Sequence, residues 1–236
     1  MSETPADERP AADDKVGPDA APNPAVVDLL GVLAYGQLIA FEHLADDARL
    51  APTLLDKAAL GGMAVAEYQH YERIAKYLRT IGVDPVAAME PFVAPLDAFH
   101  DLTAPSDWLE GLVKAFVGDG IATDFYREVA TFLDAEPEAL VIEVLSDSGH
   151  AAFAVEKVRA AIEADPSVAG RLALWGRRLV GEALVQAQRV AVDREALTDL
   201  IVGGATASGG LVELGKMLAR LTEAHTKRMA QLGLRP

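Results

Sequence analysis

The chain has 236 residues, enough for one large domain or two small ones, and its 51% hydrophobic composition can supply a sizeable core. It has no cysteine, which excludes disulfides, thiolate metal sites and iron–sulfur clusters, so any metal must be held by nitrogen and oxygen ligands. A formal net charge of −15 argues against nonspecific binding of nucleic acid, which depends on lysine and arginine.

The N-terminal segment, residues 1–24, is rich in Pro, Ala, Asp and Glu and has no apolar repeat, so we expect a disordered acidic tail. It lacks the basic start and apolar block of a secretory signal. No uninterrupted apolar run reaches the roughly 18 to 20 residues of a membrane span. These features predict a cytoplasmic protein that does not bind a membrane.

Two long helices are predicted next, because apolar residues recur at three- and four-residue steps from Val26 to about Ala48 and from Pro52 to about Ile81. Pro52 suits the first position of the second helix, with Thr53 and Asp56 available as caps. The two helices should form a hairpin.

The segment from Val83 to Pro105 contains four prolines, so we expect a largely irregular crossover. A third helix is predicted from Ser106 to about Leu133 and a fourth from Pro137 to about Ala164. Two hairpins joined by one long crossover describe a four-helix bundle of the ferritin-like type.

Two further helices are predicted at the C-terminus, from Pro166 to about Val202 and over about 211–232, with a Gly/Ser/Ala linker at 203–210 between them. The predicted fold is therefore all-α, with a tail (1–24), a ferritin-like bundle (25–164) and a C-terminal helical extension packed on it (165–236). The last helix has an apolar stripe of leucines that must be covered: Leu211, Leu214, Leu218 and Leu221. We predict a homodimer in which these two helices supply much of the interface.

The bundle contains two carboxylate-x-x-histidine pairs, Glu67–His70 in helix two and Asp147–His150 in helix four, 80 residues apart. On a helix, residues three apart lie on one face and can reach one ligand or each other. Helices one and three match as well: "GQLIAFE" (36–42) aligns with "GDGIATD" (118–124) and places Gln37 over Asp119. The bundle therefore resembles a duplicated hairpin.

A di-iron site in such a bundle takes one carboxylate from each of two helices and a carboxylate-x-x-histidine pair from each of the others. Asp124 is the alternative to Asp119, because it is level with Asp147 across the turn near residue 135. Asp97–His100 has the same spacing but falls in the proline-rich crossover, and we set it aside. The predicted metal ligands are Gln37, Glu67, His70, Asp119, Asp147 and His150.

At these residues the chain resembles the ferritin-like di-iron proteins, most closely the MiaE-like branch, named after a tRNA hydroxylase acting on 2-methylthio-N6-isopentenyladenosine. The resemblance covers roughly residues 25–200 and rests on "YGQLIAFEHLADDA", "AEYQHYERI", "VGDGIATDFYRE" and "LSDSGHAAFAVEKV". It implies a non-haem di-iron centre that activates dioxygen, takes electrons from an external donor and inserts oxygen into a C–H bond. A tRNA substrate is disfavoured, because the chain beyond the tail keeps a net charge of −11.

The sequence departs from the family pattern, which has glutamate at the positions of Gln37, Asp119 and Asp147. Glutamine is neutral and a poor bridge, and aspartate is shorter. The family resemblance predicts two irons, and the departure at Gln37 leaves one iron or none as alternatives. The alternative hypotheses are a helical scaffold or interaction protein whose ligands have degenerated, and an iron-storage protein. A buried acid–histidine pair can also be hydrogen-bonded without a metal.

Aromatic residues cluster around the ligand segments, and most of them should be core packing. A functional interpretation makes Tyr35 or Tyr68 a hydrogen-bond donor or electron source beside the metal ligands. The group comprises Tyr35, Phe41, Tyr68, Tyr71, Phe116, Phe125, Tyr126 and Phe153.

Overall fold

The structure, a computed structural model, describes residues 21–146, 149–194, 196, 198–200 and 210–236. The predicted tail up to residue 20 and the linker at 201–209 lie outside the described residues, which contain no strand. The helices are α1 (Pro24–Leu50), α2 (Leu54–Thr80), α3 (Pro85–Leu102), α4 (Trp108–Val113), a π-helical turn (Lys114–Gly118), α5 (Asp119–Ala130), α6 (Ala135–Val144), α7 (His150–Ala164), α8 (Val168–Asp193) and α9 (Gly210–Gln231). This order confirms the predicted all-α, ferritin-like class.

The first hairpin forms as predicted, because its helix ends carry strong caps. The Asn23 side chain accepts a hydrogen bond from the Ala25 amide at the start of α1. The Thr53 hydroxyl accepts one from the Asp56 amide at the start of α2. Pro52 precedes this cap instead of occupying the first helical position.

The predicted irregular crossover is wrong, since residues 85–102 form the regular helix α3 with Pro91 and Pro95 inside it. Each proline removes one backbone hydrogen bond. Packing outweighs that loss, because Phe92 is fully buried and the backbone of Ala88 lies directly against Gly31 of α1. Asp97 and His100 are therefore on a helix after all.

The third predicted helix is one continuous rod that contains a π-helical turn at Lys114–Gly118, between α4 and α5. Asp107 caps its start by accepting from the Glu110 amide. A π-turn inserts an extra residue and changes which side chains share a face. The residue immediately after the turn is Asp119.

The fourth predicted helix is not continuous, because α6 ends at Val144 and α7 begins only at His150. Leu145 closes α6, and its carbonyl accepts a hydrogen bond from Arg127 of α5 at 2.5 Å. Gly149 precedes α7 with φ +94°, a left-handed conformation that glycine adopts readily. Asp147 lies outside the described residues.

The C-terminal helices lie against the bundle of the same chain. Met229 of α9 and Leu232, just after the helix, are fully buried, and Arg228 pairs with Asp124 of α5 at 2.6 Å. Gly176 of α8 makes room for this contact, since a Cβ there would stand 2.7 Å from the Met229 sulfur. Of the predicted leucine stripe, Leu218 is exposed, Leu221 is half-buried, and the side chains of Leu211 and Leu214 lie outside the described part. The buried positions among the described side chains of this region include Met217, His225 and Met229.

The apolar core is divided into two clusters, one built on Leu29, Leu33 and Ile74 and the other on Leu44 and Leu60. Between them, α1 and α2 carry the polar residues of the predicted metal site. A polar layer inside a bundle requires partners for its groups.

α1 is long and apolar enough to cross a membrane by length and composition, with a mean hydropathy of 1.7 over its most apolar window. However, 56% of that window is buried inside the fold. Its apolar residues therefore form the core, as they do in the central helix of a soluble protein.

Candidate metal centre

Glu67 stands between two imidazoles that come from different helices. Its Oε2 lies 3.5 Å from Nδ1 of His70 on α2, and its Oε1 lies 3.6 Å from Nδ1 of His150 on α7. Glu67 and His70 are each only 8% exposed. The structure thus brings the histidines of the two predicted pairs onto the two oxygens of one buried carboxylate.

Gln37 of α1 joins this group on the side of His70. Its Oε1 lies 3.2 Å from the same Nδ1 of His70 that faces Glu67. An amide oxygen can only accept, so His70 donates in this bond when Nδ1 carries the proton. Gln37 therefore lies at the same height along the bundle as His70, opposite the middle of α2, as predicted for a metal ligand of helix one.

Asp119 is the carboxylate of α5 that interacts with this group. Burial among protein atoms and the charge of Glu67 raise its pKa to about 7. By accessible surface, however, Asp119 is exposed, and every residue from 120 to 126 is half-buried. Asp119 is therefore a carboxylate that solvent reaches at the start of α5, although packed neighbours and Glu67 raise its pKa.

The other acidic residues of the repeat have different surroundings. Asp124, the alternative to Asp119, forms an ion pair with Arg228 of α9, and Glu42 is exposed. Of the six predicted ligands, Gln37, Glu67, His70 and His150 meet directly, and Asp119 interacts with them through charge.

The donor atoms suit a divalent metal in type and in pairwise spacing. Separations of 3.5 and 3.6 Å are long for hydrogen bonds. Two ligand atoms that share one cation at bond lengths of about 2.1 Å stand about 3.0 to 3.5 Å apart. Within the described ranges, however, no three histidine, aspartate or glutamate side chains close around one point as a metal site. The group is an open, partial ligand set.

Comparison with known proteins identifies the fold family. The family model for a ferritin-like domain of actinomycetes matches residues 20–204, most of the chain. The chain belongs to this ferritin-like family. The protein also resembles a solved structure from Synechococcus, described as Protein 19 with aldehyde deformylating oxidase activity, with a TM-score of 0.69 and 22% identity over 92% of this chain and 94% of that one. At this identity the likeness concerns the fold, and no curated protein matches the sequence significantly.

The tyrosines of this ferritin-like protein are placed differently from the prediction. Tyr35 donates a hydrogen bond to Asp97 of α3 at 2.5 Å, and Tyr68 lies on the outer side of α2 against Phe41. In the described part of the chain, their hydrogen-bond and ring partners are therefore other residues than Glu67 and its imidazoles. Tyr126 of α5 is closer in electrostatic terms, since burial and the charge of Asp119 raise its pKa.

A second polar cluster, which the sequence analysis missed, comprises His43 and Asp47 of α1, His100 of α3 and Lys114 of the π-turn. The two imidazoles are stacked with ring centroids 4.4 Å apart. Burial lowers the pKa of His43 to about 4 and that of His100 to about 2, and it lowers the pKa of Lys114 to about 8. The residues of this cluster come from three separate elements, so no single stretch of sequence indicates it. The sequence offered two partial hints: the four-residue spacing of His43 and Asp47, and His100, which the sequence analysis set aside.

Proposed function

We propose that this ferritin-like protein is a non-haem iron protein that uses dioxygen to oxidise an organic substrate, with an external electron donor. The observation that carries the proposal is the placement of Glu67, whose two oxygens face His70 and His150. A carboxylate in this position can bind cations through both oxygens, and each imidazole can complete the coordination on its own side. The fold of the aldehyde deformylating oxidase is consistent with this class.

The roles of the residues follow from their donor atoms. Glu67, His70 and His150 would hold iron directly, with Asp119 and Asp147 as further carboxylates and Gln37 as a weak, neutral ligand. Bound iron supplies the redox chemistry with dioxygen that no side chain can provide. The chain supplies the acidic donors and an apolar cluster on either side of them along α1 and α2.

For the substrate, a small apolar molecule is favoured over tRNA. An open cleft of about 370 Å³ lies beside the start of α7, where Ala151, the neighbour of His150 in sequence, is one of its lining residues. The cleft is bordered mostly by apolar atoms. Its lining residues are Phe116, Ala151, Ala152, Val155, Arg159 and Gln231. This cleft and the chain's net charge of −15 both disfavour the tRNA substrate of the MiaE-like branch.

Metal analysis tests the proposal. Untagged protein expressed with added iron should retain iron, and Glu67→Ala and His150→Ala should remove most of it. Glu72→Ala changes an exposed glutamate of the same helix and should leave the iron content unchanged. Less than about 0.2 iron per wild-type chain, unchanged in the two site variants, contradicts the proposal.

A second candidate function, a helical scaffold without a metal, is favoured by the contact between Gln37 and His70. This hydrogen bond gives Gln37 Oε1 and His70 Nδ1 a partner without any ion. Thermal unfolding with added ferrous iron or with chelator separates the two, because a ligand that binds only the native state raises its stability. An unchanged midpoint favours the scaffold.

A further inference from the structure

The cleft beside α7 combines an apolar wall with one cationic side chain. Four of its lining residues are apolar, and the two polar ones are Arg159 of α7 and Gln231 of α9. Among the described residues that line it, none is acidic. Its volume of about 370 Å³ lies in the lower part of the range of roughly 300 to 1,000 Å³ that small-molecule sites occupy. This composition suits a molecule with an apolar body and one anionic group.

The α7 helix separates the polar and apolar parts of the cleft along its axis. Ala152, Val155 and Arg159 follow one another at steps of three and four residues, so they share one face of α7. Arg159 comes seven residues after Ala152, about 10 Å along the helix. His150 begins the same helix and faces Glu67 at 3.6 Å. Arg159 therefore borders the end of the cleft that is farther from the candidate metal centre.

A backbone carbonyl holds the guanidinium of Arg159 in place. Its Nη1 donates a hydrogen bond to the carbonyl of Gln231 at 3.0 Å, at the end of α9. A guanidinium has five N–H donors, so this bond leaves others for a ligand. Arg159 is exposed, and among the described residues it pairs with no carboxylate, since Glu156, one turn earlier, pairs with Lys157 at 3.1 Å. An anion in solution can therefore reach these donors.

The apolar part of the cleft owes its space to small side chains. Ala151 and Ala152 line it at the start of α7, where longer side chains would occupy the same volume. Phe116 of the π-turn is only 7% exposed and belongs to the apolar cluster built on Leu44 and Leu60. Its ring provides an apolar surface that the packed core keeps in place. An aliphatic chain that lies on this surface would exchange water for apolar contacts.

We propose that this cleft binds an amphiphilic monocarboxylate, with the carboxylate on Arg159 and the apolar chain along α7 toward His150. The inference deepens the proposed function, and it rests on that function for the claim that the ligand is the substrate. A chain of about eight carbons roughly matches the 10 Å between Arg159 and Ala152. In this orientation the apolar end of the molecule, and not its polar head, is nearest to the metal centre.

Octanoate and octanamide test the role of Arg159, because they have nearly the same shape and differ in charge. Isothermal titration uses the full chain after dialysis against a chelator, so that the carboxylate cannot bind to a metal ion. The wild-type chain should bind one octanoate about tenfold more tightly than octanamide. Arg159→Gln should remove this preference, whereas Arg79→Gln, which changes an exposed arginine of α2, should preserve it.

Chain length tests the orientation of the ligand. The wild-type chain should bind octanoate about five- to tenfold more tightly than hexanoate, because two more methylenes leave water. Ala152→Leu fills the end of the cleft opposite Arg159 and should reduce this difference to less than about twofold. Ala160→Leu, at an exposed position of α7 that does not line the cleft, should leave the difference unchanged. Ala151→Leu replaces Ala152→Leu if that variant does not fold.

The outcomes separate this inference from the proposed function. Failure of the wild-type chain to bind octanoate, equal affinity for octanamide, or a preference that survives Arg159→Gln overturns the inference. An effect of Ala152→Leu that is the same for hexanoate and octanoate overturns the orientation. A chain that retains iron but does not bind octanoate overturns this inference alone. A chain that binds octanoate but retains no iron overturns the proposed function, and with it the role of the carboxylate as substrate.

Discussion

Gln37 places a neutral amide where a ferritin-like iron site has a carboxylate, and its oxygen is 3.2 Å from His70. An amide oxygen carries only a partial charge, so it attracts a cation far less than a carboxylate does. Two unit charges about 4 Å apart interact by about 4 kcal/mol at an effective dielectric constant near 20. Position 37 should therefore control metal affinity without changing the fold.

Gln37→Glu should tighten binding of a divalent metal at least about tenfold, because it adds a carboxylate at the centre. Isothermal titration with Mn²⁺ measures the change. Gln69→Glu adds the same charge at an exposed position of α2 and should alter the affinity by less than about twofold. Equal effects of the two substitutions would show that Gln37 is not at the metal position.

The stacked pair His43 and His100 makes stability depend on pH. Burial lowers the pKa of His43 to about 4 and that of His100 to about 2, while both histidines have the usual pKa of about 6.5 in the unfolded chain. As pH falls below 6.5, the unfolded state takes up protons that the folded state does not bind. The contribution of these two imidazoles to the free energy of unfolding is therefore highest above pH 6.5 and decreases as pH falls toward 4.

His100→Phe should flatten this dependence, because it removes one of the two groups that the fold keeps neutral. Urea unfolding between about pH 7 and pH 4 measures the slope. Glu90→Gln, an exposed change on the same helix, should leave the slope as it is in the wild-type chain. A slope that His100→Phe does not reduce would contradict the assignment of this pair.

At the scale of elements, the packing of α1 against α3 explains why a proline-containing segment is helical. The backbone carbonyl of Ala88 lies so close to Gly31 that a Cβ there would be 2.1 Å from its oxygen. The backbone of α3 could avoid an overlap with a side chain at position 31 only if the whole helix moved. This contact also buries Phe92, and that burial compensates for the hydrogen bonds lost at Pro91 and Pro95.

Gly31→Ala should lower the free energy of unfolding by about 1 to 3 kcal/mol, because the new methyl group overlaps the backbone of α3. Gly36→Ala is the matched control on the same helix, since nothing lies within 4 Å of its Cβ position. It should stabilise the chain by about 0.5 to 1 kcal/mol through helix propensity. Urea unfolding of both variants decides whether α3 packs as described.

Local signals predicted the helices that begin with strong caps, such as α2 after Thr53. They failed at α3, where long-range packing overrides the proline penalty, and at the π-turn, which has no sequence signature. The same division applies to the centre. Glu67 and His70 were found because one helix carries both, whereas the stacked pair His43 and His100 was missed because its members lie on two different helices.

At the scale of the molecule, α8 leaves apolar side chains in contact with solvent. Leu174 is 64% exposed and Val185 is 42% exposed, and they are eleven residues apart, about three helical turns, so they share a face. Such a face is costly in a monomer and favourable in an interface. The homodimer predicted from the sequence therefore has a specific candidate surface on α8.

Light scattering on the full chain should give about twice the 25.0 kDa mass of one copy. The double change Leu174→Asp and Val185→Asp should produce a monomer, because it places two carboxylates in the proposed contact. Leu54→Asp alters a leucine that is 86% exposed, at the start of α2, and should leave the dimer intact. A monomeric wild-type chain contradicts the homodimer itself. A dimer that survives the double change places the interface elsewhere, because apolar contacts across α8 could not tolerate two buried charges.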